Sequence, residues 1–184
     1  MALTESLDIT LGSRLPAFSL EDAYGDVYTD SSLMGELGLL LIFTCNHCPY
    51  ALAVWERLRR LAKIAYGLGI NTAAINPNIH PDYPQDSPEN MAKLIIEKNI
   101  PFPYLVDATQ AVAKAYQAQC TPDIYLISAK MSLVYHGRID DNWQDESSVK
   151  SHDLKGAILG LGNHKAVSRV QYPSMGCSIK WREK

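Results

Sequence analysis

The sequence predicts an α/β fold in which a central mixed sheet is flanked by helices. The first indication is the continuous apolar run 38–43, which is typical of a strand buried on both faces. Segment 52–65 comes next, and its apolar residues recur every three or four positions, as on one face of an amphipathic helix. Gly67 and Gly69 end this helix before a second apolar run at 70–75. Strand, helix and strand in this order predict a right-handed parallel crossover.

The remaining segments supply further strands and helices around this unit. Residues 11–29 carry two short strand patterns around a turn, which predicts an N-terminal hairpin. Four prolines in 76–88 predict a long surface loop of the kind that rims a site. Later predicted elements are a helix from Ser87, a strand at 101–106, a helix at 107–118, an antiparallel pair at 123–127 and 133–136, and a helix at 148–161. The tail 162–184 lacks a helical period, so we expect it to pack as an extended C-terminal arm.

The composition fits one globular domain spanning residues 1–184. Of the 184 residues, 47% are hydrophobic and 20% are charged, which is enough for a sizeable core. The formal net charge of −3 gives no electrostatic footprint for nucleic acid, and the basic residues within 57–63 are expected to form a solvated helix face. No apolar run is long enough to span a bilayer, and the N-terminus lacks a signal-peptide pattern. We therefore expect a cytoplasmic protein that binds neither nucleic acid nor membrane.

Two cysteines, Cys45 and Cys48, stand where the first buried strand passes into the helix. Cysteines separated by two residues serve either as a redox pair or as half of a zinc site. The free N–H groups and the positive dipole end at a helix N-terminus favour a thiolate. We therefore expect a pKa of about 3.5–7.5 for Cys45, against about 8.5 for a free thiol, and a higher pKa for Cys48. A protonated His47 would lower the pKa of Cys45 further, whereas a solvent-exposed His47 would have no role.

Six short motifs distributed along the chain carry a family resemblance. They are Cys-Asn-His-Cys-Pro-Tyr at 45–50, Tyr-Pro-Gln-Asp-Ser at 83–87, Phe-Pro-Tyr-Leu at 102–105, Cys-Thr-Pro-Asp at 120–123, Gly-Arg-Ile-Asp-Asp at 137–141 and Gly-Cys-Ser-Ile-Lys-Trp at 176–181. Together with the order of the elements, they resemble the peroxiredoxin-like redoxins, relatives of the alkyl hydroperoxide reductase and thiol-specific antioxidant group. The resemblance covers nearly the whole chain and implies a thioredoxin-like fold.

The resemblance also implies a role for the bond between Thr121 and Pro122. In thioredoxin-like folds the matching proline is cis and presents the preceding backbone to the bound substrate. We therefore expect a cis Thr121–Pro122 bond that faces Cys45. The backbone groups of Thr121 would then pair with an extended substrate by strand addition.

The motif around the two cysteines departs from that of thioredoxins. Thr44 stands where thioredoxins have a tryptophan before the first cysteine, and Asn46-His47 replaces Gly-Pro. The usual thioredoxin partners are therefore not expected.

The same segment departs from peroxiredoxins, which place a proline and a threonine ahead of the reactive cysteine. The threonine hydroxyl helps to hold the peroxide, but Gly38 and Ile42 stand at the corresponding positions before Cys45. Efficient peroxide reduction is therefore disfavoured, unless Thr44 or Arg138 substitutes for that hydroxyl. A second reading gives Arg138 only a surface ion pair with Asp140 or Asp141.

The expected activity is thiol–disulfide exchange without a prosthetic group. Cys45 would attack a substrate disulfide as a thiolate, and Cys48 would resolve the mixed disulfide. The substrate would be a disulfide-containing protein, a small disulfide or a peroxide, and an external thiol would reduce the enzyme again. One alternative is a thiol peroxidase in which Cys45 becomes a sulfenic acid that condenses with Cys48. Another is a metal-binding module built from Cys45, Cys48 and Cys120 with either Cys177 or His47.

Cys120 and Cys177 are candidate auxiliary thiols. Cys120 lies two residues before Pro122, so in an extended segment both side chains would point toward the cysteine pair. Cys177 lies in the predicted arm, which could fold back over the site. We expect Cys120 to be close enough to exchange with the Cys45–Cys48 pair and Cys177 to be close enough to form a disulfide with Cys120. Alternatively, Cys120 is a small buried apolar residue.

Overall fold

The computed structural model describes residues 3–182. Its strands are β1 (Leu3–Glu5), β2 (Ser19–Asp22), β3 (Val27–Thr29), β4 (Gly38–Phe43), β5 (Ile70–Asn76), β6 (Tyr104–Val106), β7 (Cys120–Thr121), β8 (Asp123–Ser128), β9 (Leu133–Gly137) and β10 (Met175–Ser178). Its α-helices are α1 (Asp30–Leu33), α2 (Pro49–Gly67), α3 (Pro88–Glu97), α4 (Ala111–Ala115) and α5 (Asp153–Gly162). Residues 1–2 and 183–184, at the ends of the predicted domain and its arm, lie outside the described residues.

A seven-stranded mixed sheet forms the centre of the structure, in the order β3-β2-β6-β5-β4-β8-β9. β4 pairs in parallel with β5, and β5 pairs in parallel with β6. On the other side, β4 pairs antiparallel with β8, which pairs antiparallel with β9. The hairpin of β2 and β3 joins the sheet through β6. The predicted mixed sheet, N-terminal hairpin and parallel crossover are therefore confirmed.

The central strand β4 is buried along its whole length, as its apolar run predicts. Because successive side chains of a strand point to opposite faces, β4 contributes to two hydrophobic clusters. Leu41 and Phe43 pack against α4 residues on one face, while Leu40 and Ile42 pack against α2 and α5 on the other. Each fully buried side chain of this kind contributes about 1.5–3 kcal/mol to stability. β4 is thus a firmly packed base for the cysteine loop at its C-terminal end.

Helix α2 packs on the sheet through Val54 and Leu58, and one of its arginines is also buried. The guanidinium of Arg57 donates to Asp140 Oδ2 at 2.7 Å and to the carbonyl oxygen of Asn142 at 2.7 Å. The prediction that the basic residues of 57–63 form one solvated face is therefore wrong at Arg57. Arg60, by contrast, is exposed.

Two helices are shorter than their sequence patterns predict. In α4, Gln110 has a left-handed conformation with φ of 60°, and Gln117 has φ of 59°, so the regular helix cannot extend across 107–118. Asp107 instead accepts a hydrogen bond from the N–H of Ala113 at 2.8 Å, which caps the short helix. In α5, a 3-10 turn at Glu146–Ser148 precedes the helix, so the helix starts at Asp153 rather than 148.

The proline-rich segment 76–88 is more than a surface loop. It contains a 3-10 turn at Pro84–Asp86, and the side chains of Asn78 and Asp86 are fully buried. The prediction that this segment lies on the surface without regular structure is therefore wrong in part. Some of its polar groups form hydrogen bonds inside the molecule, as described below for Asp86. The loop therefore forms one wall of the cysteine site.

A second, three-stranded sheet has the order β1-β10-β7. β10 pairs antiparallel with β7, with Cys177 opposite Thr121 and Ser178 opposite Cys120. β1 covers the other edge of β10. The segment around β10 is therefore extended, as predicted. Of the helices within residues 3–182, none is both long enough and apolar enough to cross a bilayer.

Candidate active site

The two central cysteines lie between the end of β4 and the start of α2. Helix α2 begins at Pro49, so Cys48 is its N-cap residue and Cys45 lies three residues earlier. Proline is well suited to the first helical position because the N–H that it lacks has no partner within a helix. Both cysteines are fully buried and pack with Ala51 and Cys177 in one cluster. The helix N-terminus therefore acts on Cys48 rather than on Cys45.

Thr121 contacts both sulfur atoms from the opposite side. The Thr121–Pro122 bond is cis, as predicted. The Thr121 hydroxyl lies 3.3 Å from Cys45 Sγ, and the Cys48 thiol donates to the carbonyl oxygen of Thr121 at 3.1 Å. The expected proximity of this bond to Cys45 is thereby confirmed. Its backbone edge is occupied, however, because β10 of the same chain pairs with Thr121. The prediction of an edge open to a substrate strand is wrong.

Cys48 is the more acidic thiol of the pair. A hydrogen bond from the Cys45 thiol is the largest of the effects that lower the pKa of Cys48 to about 5. The Cys177 thiol and the backbone N–H groups of Ala51 and Cys177 stabilise the Cys48 thiolate further, against the opposing effect of burial. These groups surround the Cys48 sulfur at the start of a helix. The lowered pKa favours the Cys48 thiolate at neutral pH, and ionisation gives up the hydrogen bond that the Cys48 thiol donates to Thr121.

The pKa of Cys45 is raised well above its usual value, so the prediction that Cys45 is the acidic thiol is wrong. Burial is the main cause, and the hydrogen bond that Cys45 donates to Cys48 adds to it. The nearby carboxylate of Asp86 also raises this pKa, while the Thr121 hydroxyl lowers it. The sequence pattern placed the two cysteines correctly at a helix start, but the helix begins three residues later than that assignment requires.

Asp86 fixes the loop that carries the cysteines. Its carboxylate accepts hydrogen bonds from the backbone N–H of Asn46 at 2.6 Å and from Asn76 Nδ2 at 3.0 Å. His47 Nδ1 also contacts Asp86, and the His47 ring stacks on Tyr83 at a centroid distance of 4.9 Å. A ring nitrogen of His47 also lies within 4.8 Å of Cys45 Sγ. The expected stabilisation of a Cys45 thiolate by a protonated His47 therefore stays a prediction.

Sequence reasoning gave Asp86 no role. The residue falls within one of the motifs of the family resemblance, but nothing in the spacing connects it with cysteines about 40 positions earlier. Its position in a conspicuously proline-rich loop was the only available signal, since loops at a site often carry functional residues.

One group of side chains within residues 3–182 could hold a metal ion. The ligand atoms of Cys45, His47 and Asp86 lie within 4.8 Å of one another. This set differs from the predicted one of Cys45, Cys48 and Cys120 with a further ligand, because the structure brings a carboxylate to Cys45. Sulfur, imidazole and carboxylate are all zinc ligands. A metal bound there would remove Cys45 from the dithiol pair. It would also compete for Asp86 with His47 Nδ1, whereas the buried His47 Nε2 has no hydrogen-bond partner among residues 3–182.

The two auxiliary cysteines have different surroundings. The pairing of Cys177 with Thr121 puts the Cys177 side chain on the face of β7 that carries the Thr121 hydroxyl, next to Cys48. Cys120 belongs to the opposite face, and its thiol donates to the carbonyl oxygen of Pro122 at 3.5 Å. Burial strongly raises the pKa of Cys120. The register therefore counts against the predicted Cys120–Cys177 disulfide and brings Cys177 to Cys48 instead.

Thr44 and Arg138 do not contact the sulfur atoms in the way that a peroxide-binding role requires. The Thr44 hydroxyl is buried and finds no hydrogen-bond partner among residues 3–182. Arg138 donates to Asp153 at 2.8 Å and stacks on Tyr172, so the expected pairing with Asp140 or Asp141 is wrong.

A cavity of about 290 Å³ lies beside the site. Tyr50, Pro122, Arg138 and Met175 are among its lining residues, and no cysteine lines it. The cavity therefore reaches the residues that cover the sulfur atoms, from the side on which Arg138 lies.

Comparisons with known proteins agree with this fold. The sequence model of the AhpC/TSA family matches residues 11–136, a segment that contains Cys45, Cys48 and Cys120 but ends before Cys177. No curated protein matches the chain. An uncharacterized conserved protein from Geobacillus kaustophilus is 39% identical, covers 100% of this chain and 98% of its own, and superposes with a TM-score of 0.95.

More distant structures share the fold. Peroxidoxin BcpB from Mycobacterium tuberculosis is 17% identical, with coverage of 84% of this chain and 97% of its own and a TM-score of 0.61. The thioredoxin domain of a thiol-disulfide oxidoreductase from Bacteroides vulgatus is 17% identical, with coverage of 70% and 89% and a TM-score of 0.59. The match to the family model spans more than half of the chain, and these structures share its architecture. The chain therefore belongs to the AhpC/TSA family and has a thioredoxin-like fold.

Proposed function

We propose that the protein is a thiol–disulfide oxidoreductase in which Cys48 and Cys45 form the redox couple. The observation that carries this proposal is the burial of Cys45 and Cys48 in one cluster at the start of α2, with Thr121 in contact with both sulfur atoms. The lowered pKa of Cys48 supports it. A thiolate beside a protonated second thiol is the arrangement that thiol–disulfide exchange requires. The family match supports the same chemistry.

The exchange proceeds in two steps. The Cys48 thiolate attacks one sulfur of a substrate disulfide, forming a mixed disulfide and releasing the other sulfur as a thiolate. Loss of the negative charge on Cys48 removes one of the effects that raise the pKa of Cys45. Cys45 then gives up its proton and attacks Cys48 Sγ, which releases the second substrate thiolate. The Cys45–Cys48 disulfide remains until an external thiol reductant returns two electrons, and no cofactor is needed.

The covered site favours small substrates. Both sulfur atoms are buried, and β10 occupies the backbone edge at which an extended polypeptide would pair. A small disulfide needs less space than a protein segment and could approach from the side of the cavity. The dependence on an external thiol fits the reducing conditions of the cytoplasm, where we place the protein.

The test uses a small disulfide, hydroxyethyl disulfide, with the fully reduced protein and counts the thiol released. We expect wild type to release thiol and to form a Cys48-containing intramolecular disulfide, whereas Cys48→Ser releases none. Cys120→Ser is the matched control and should behave as wild type, because Cys120 belongs to the other face of β7. Release of thiol by Cys48→Ser at the rate of wild type would show that the couple is wrongly assigned.

A thiol peroxidase is the second candidate, and the burial of both sulfur atoms favours it because a peroxide is smaller still. The Cys48 thiolate would attack one peroxide oxygen, the O–O bond would break, and an alcohol or water would leave. The resulting sulfenic acid would condense with the Cys45 thiol and release water. Rates measured with hydrogen peroxide and with hydroxyethyl disulfide on one preparation separate the two. A much faster reaction with peroxide would favour the second candidate.

A further inference from the structure

Strand β10 lies where a substrate strand would bind in the site described above. It pairs antiparallel with β7 immediately before the cis Thr121–Pro122 bond. Gly176 makes this close approach possible, because a Cβ built at that position would overlap the carbonyl oxygen of Thr121. The chain thus supplies its own extended segment to the edge on which peptide recognition by strand addition depends.

This internal segment presents a cysteine to the reactive sulfur. Cys177 stands opposite Thr121 in the register, and Thr121 accepts a hydrogen bond from Cys48 at 3.1 Å through its carbonyl oxygen. Cys177, Cys48 and Cys45 pack together with Ala51 in one buried cluster. Cys48 therefore has a second thiol next to it, on a different element from Cys45. A disulfide requires such close approach of the two side chains.

We propose that Cys177 is a third redox-active thiol of this site and resolves intermediates on Cys48 in competition with Cys45. The inference rests on the proposed function, since it requires Cys48 to form a mixed disulfide first. Cys177 then loses its proton and attacks Cys48 Sγ, the bond between Cys48 and the substrate sulfur breaks, and the departing thiolate takes the proton. The products are a Cys48–Cys177 disulfide and two reduced substrate thiols, so the electrons balance without another reactant.

Neighbouring charges favour Cys177 over Cys45 in this step. The ammonium group of Lys180 lowers the pKa of Cys177, whereas the carboxylate of Asp86 raises that of Cys45. Burial and the hydrogen bond to Cys48 raise the pKa of Cys177, and the second of these effects disappears once Cys48 is in a mixed disulfide. The ionisation of Cys177, like that of Cys45, therefore becomes easier as the reaction proceeds, and Lys180 favours it further at Cys177.

The two possible disulfides have different structural consequences. A Cys45–Cys48 bond lies within one loop and leaves β10 attached by strand pairing and other non-covalent contacts. A Cys48–Cys177 bond joins β10 to the start of α2 and so fixes this strand, which covers the site. The oxidised protein therefore exists with β10 either held by non-covalent contacts or locked covalently.

The experiment removes the competing thiol and counts the products. Reduced Cys45→Ser protein is mixed with a small excess of hydroxyethyl disulfide, and released thiol and protein disulfides are measured after acid quenching, with Cys45→Ala as a second variant. We expect two thiols released per chain and a Cys48–Cys177 disulfide in peptide maps. Cys45→Ser/Cys177→Ser should release one thiol and stop at the mixed disulfide. Cys45→Ser/Cys120→Ser is the matched control and should release two.

The outcomes separate this inference from the proposed function. Release of one thiol by both Cys45 variants, with a stable mixed disulfide on Cys48, would overturn the role of Cys177 and leave the exchange activity intact. If no mixed disulfide forms on Cys48 in any variant, both proposals fail. A disulfide between Cys48 and Cys120 in place of Cys177 would also overturn the inference, because it contradicts the strand register.

Discussion

The number of thiolates at neutral pH is the most direct test of the assignment of Cys48. The pKa of Cys48, about 5, is two units below pH 7, so its thiolate form exceeds its thiol form about 100-fold. The pKa values of Cys45, Cys120 and Cys177 are all raised, so these residues add almost nothing. We therefore expect about one thiolate per chain at pH 7. Four unperturbed thiols of pKa about 8.5 would together give only about 0.1.

Thiolate absorbance in the ultraviolet measures this number without any need for a reagent to enter the buried site. The reduced protein is titrated from acid toward neutral pH, and the absorbance is compared with that of protein unfolded in urea. A step of about one thiolate with a midpoint near pH 5 is expected for wild type. The sign follows from the lowered pKa, since Cys48 loses its proton as the pH rises through 5. Cys48→Ser should remove the step, and Cys120→Ser should retain it.

Two results would refute the reasoning. A value near 0.1 thiolate at pH 7 would show that the donors around Cys48 do not stabilise its charge. A step that persists in Cys48→Ser and disappears in Cys45→Ser would return the acidic role to Cys45.

Two further substitutions test the packing around the site. Gly176→Ala should destabilise the packing of β10 over the site by about 1–3 kcal/mol, because the new Cβ would lie 2.7 Å from the carbonyl carbon of Thr121. Alkylation of Cys48 in native buffer should accelerate by about 5–150-fold, whereas Gly156→Ala, which meets no atom within 4 Å, should leave it unchanged. Arg57→Ala should lower the free energy of unfolding in urea by about 3–5 kcal/mol, since it leaves a buried carboxylate unpaired. An unchanged rate of Cys48 alkylation in Gly176→Ala, or an unchanged unfolding midpoint in Arg57→Ala, would contradict these expectations.

The sequence predicts the strands of the fold better than its helix boundaries. Continuous apolar runs identify β4 and β5 because a strand buried on both faces tolerates few polar residues. The ends of α4 are invisible in the sequence, since Gln110 and Gln117 adopt a left-handed conformation that an ordinary residue rarely takes. The start of α2 matters most, because a shift of three residues transfers the helix N-terminus from Cys45 to Cys48.

The candidate site was predictable in its components and only partly in its arrangement. The cysteine pair and the cis bond before Pro122 follow from local motifs. The contact of Asp86 with His47 and the approach of Cys177 to Cys48 join residues far apart in the chain, and a single sequence contains no signal of such contacts. Cys120 and Cys177 illustrate the difficulty, because one residue of register in the pairing of β10 decides which of them faces the reactive sulfur.

The pairing of β1 with β10 gives the site a mechanical property. Leu3 lies opposite Cys177 in an antiparallel pair, so the chain enters and leaves this small sheet at the same end. A force that separates the two chain ends would load the hydrogen bonds between β1 and β10 one after another, as in opening a zipper, rather than all at once. The seven-stranded sheet would stay intact, because its strands lie outside the loaded path. Tension on the ends of the chain would thus detach β1 from β10 and leave β10 paired with β7 over the thiols.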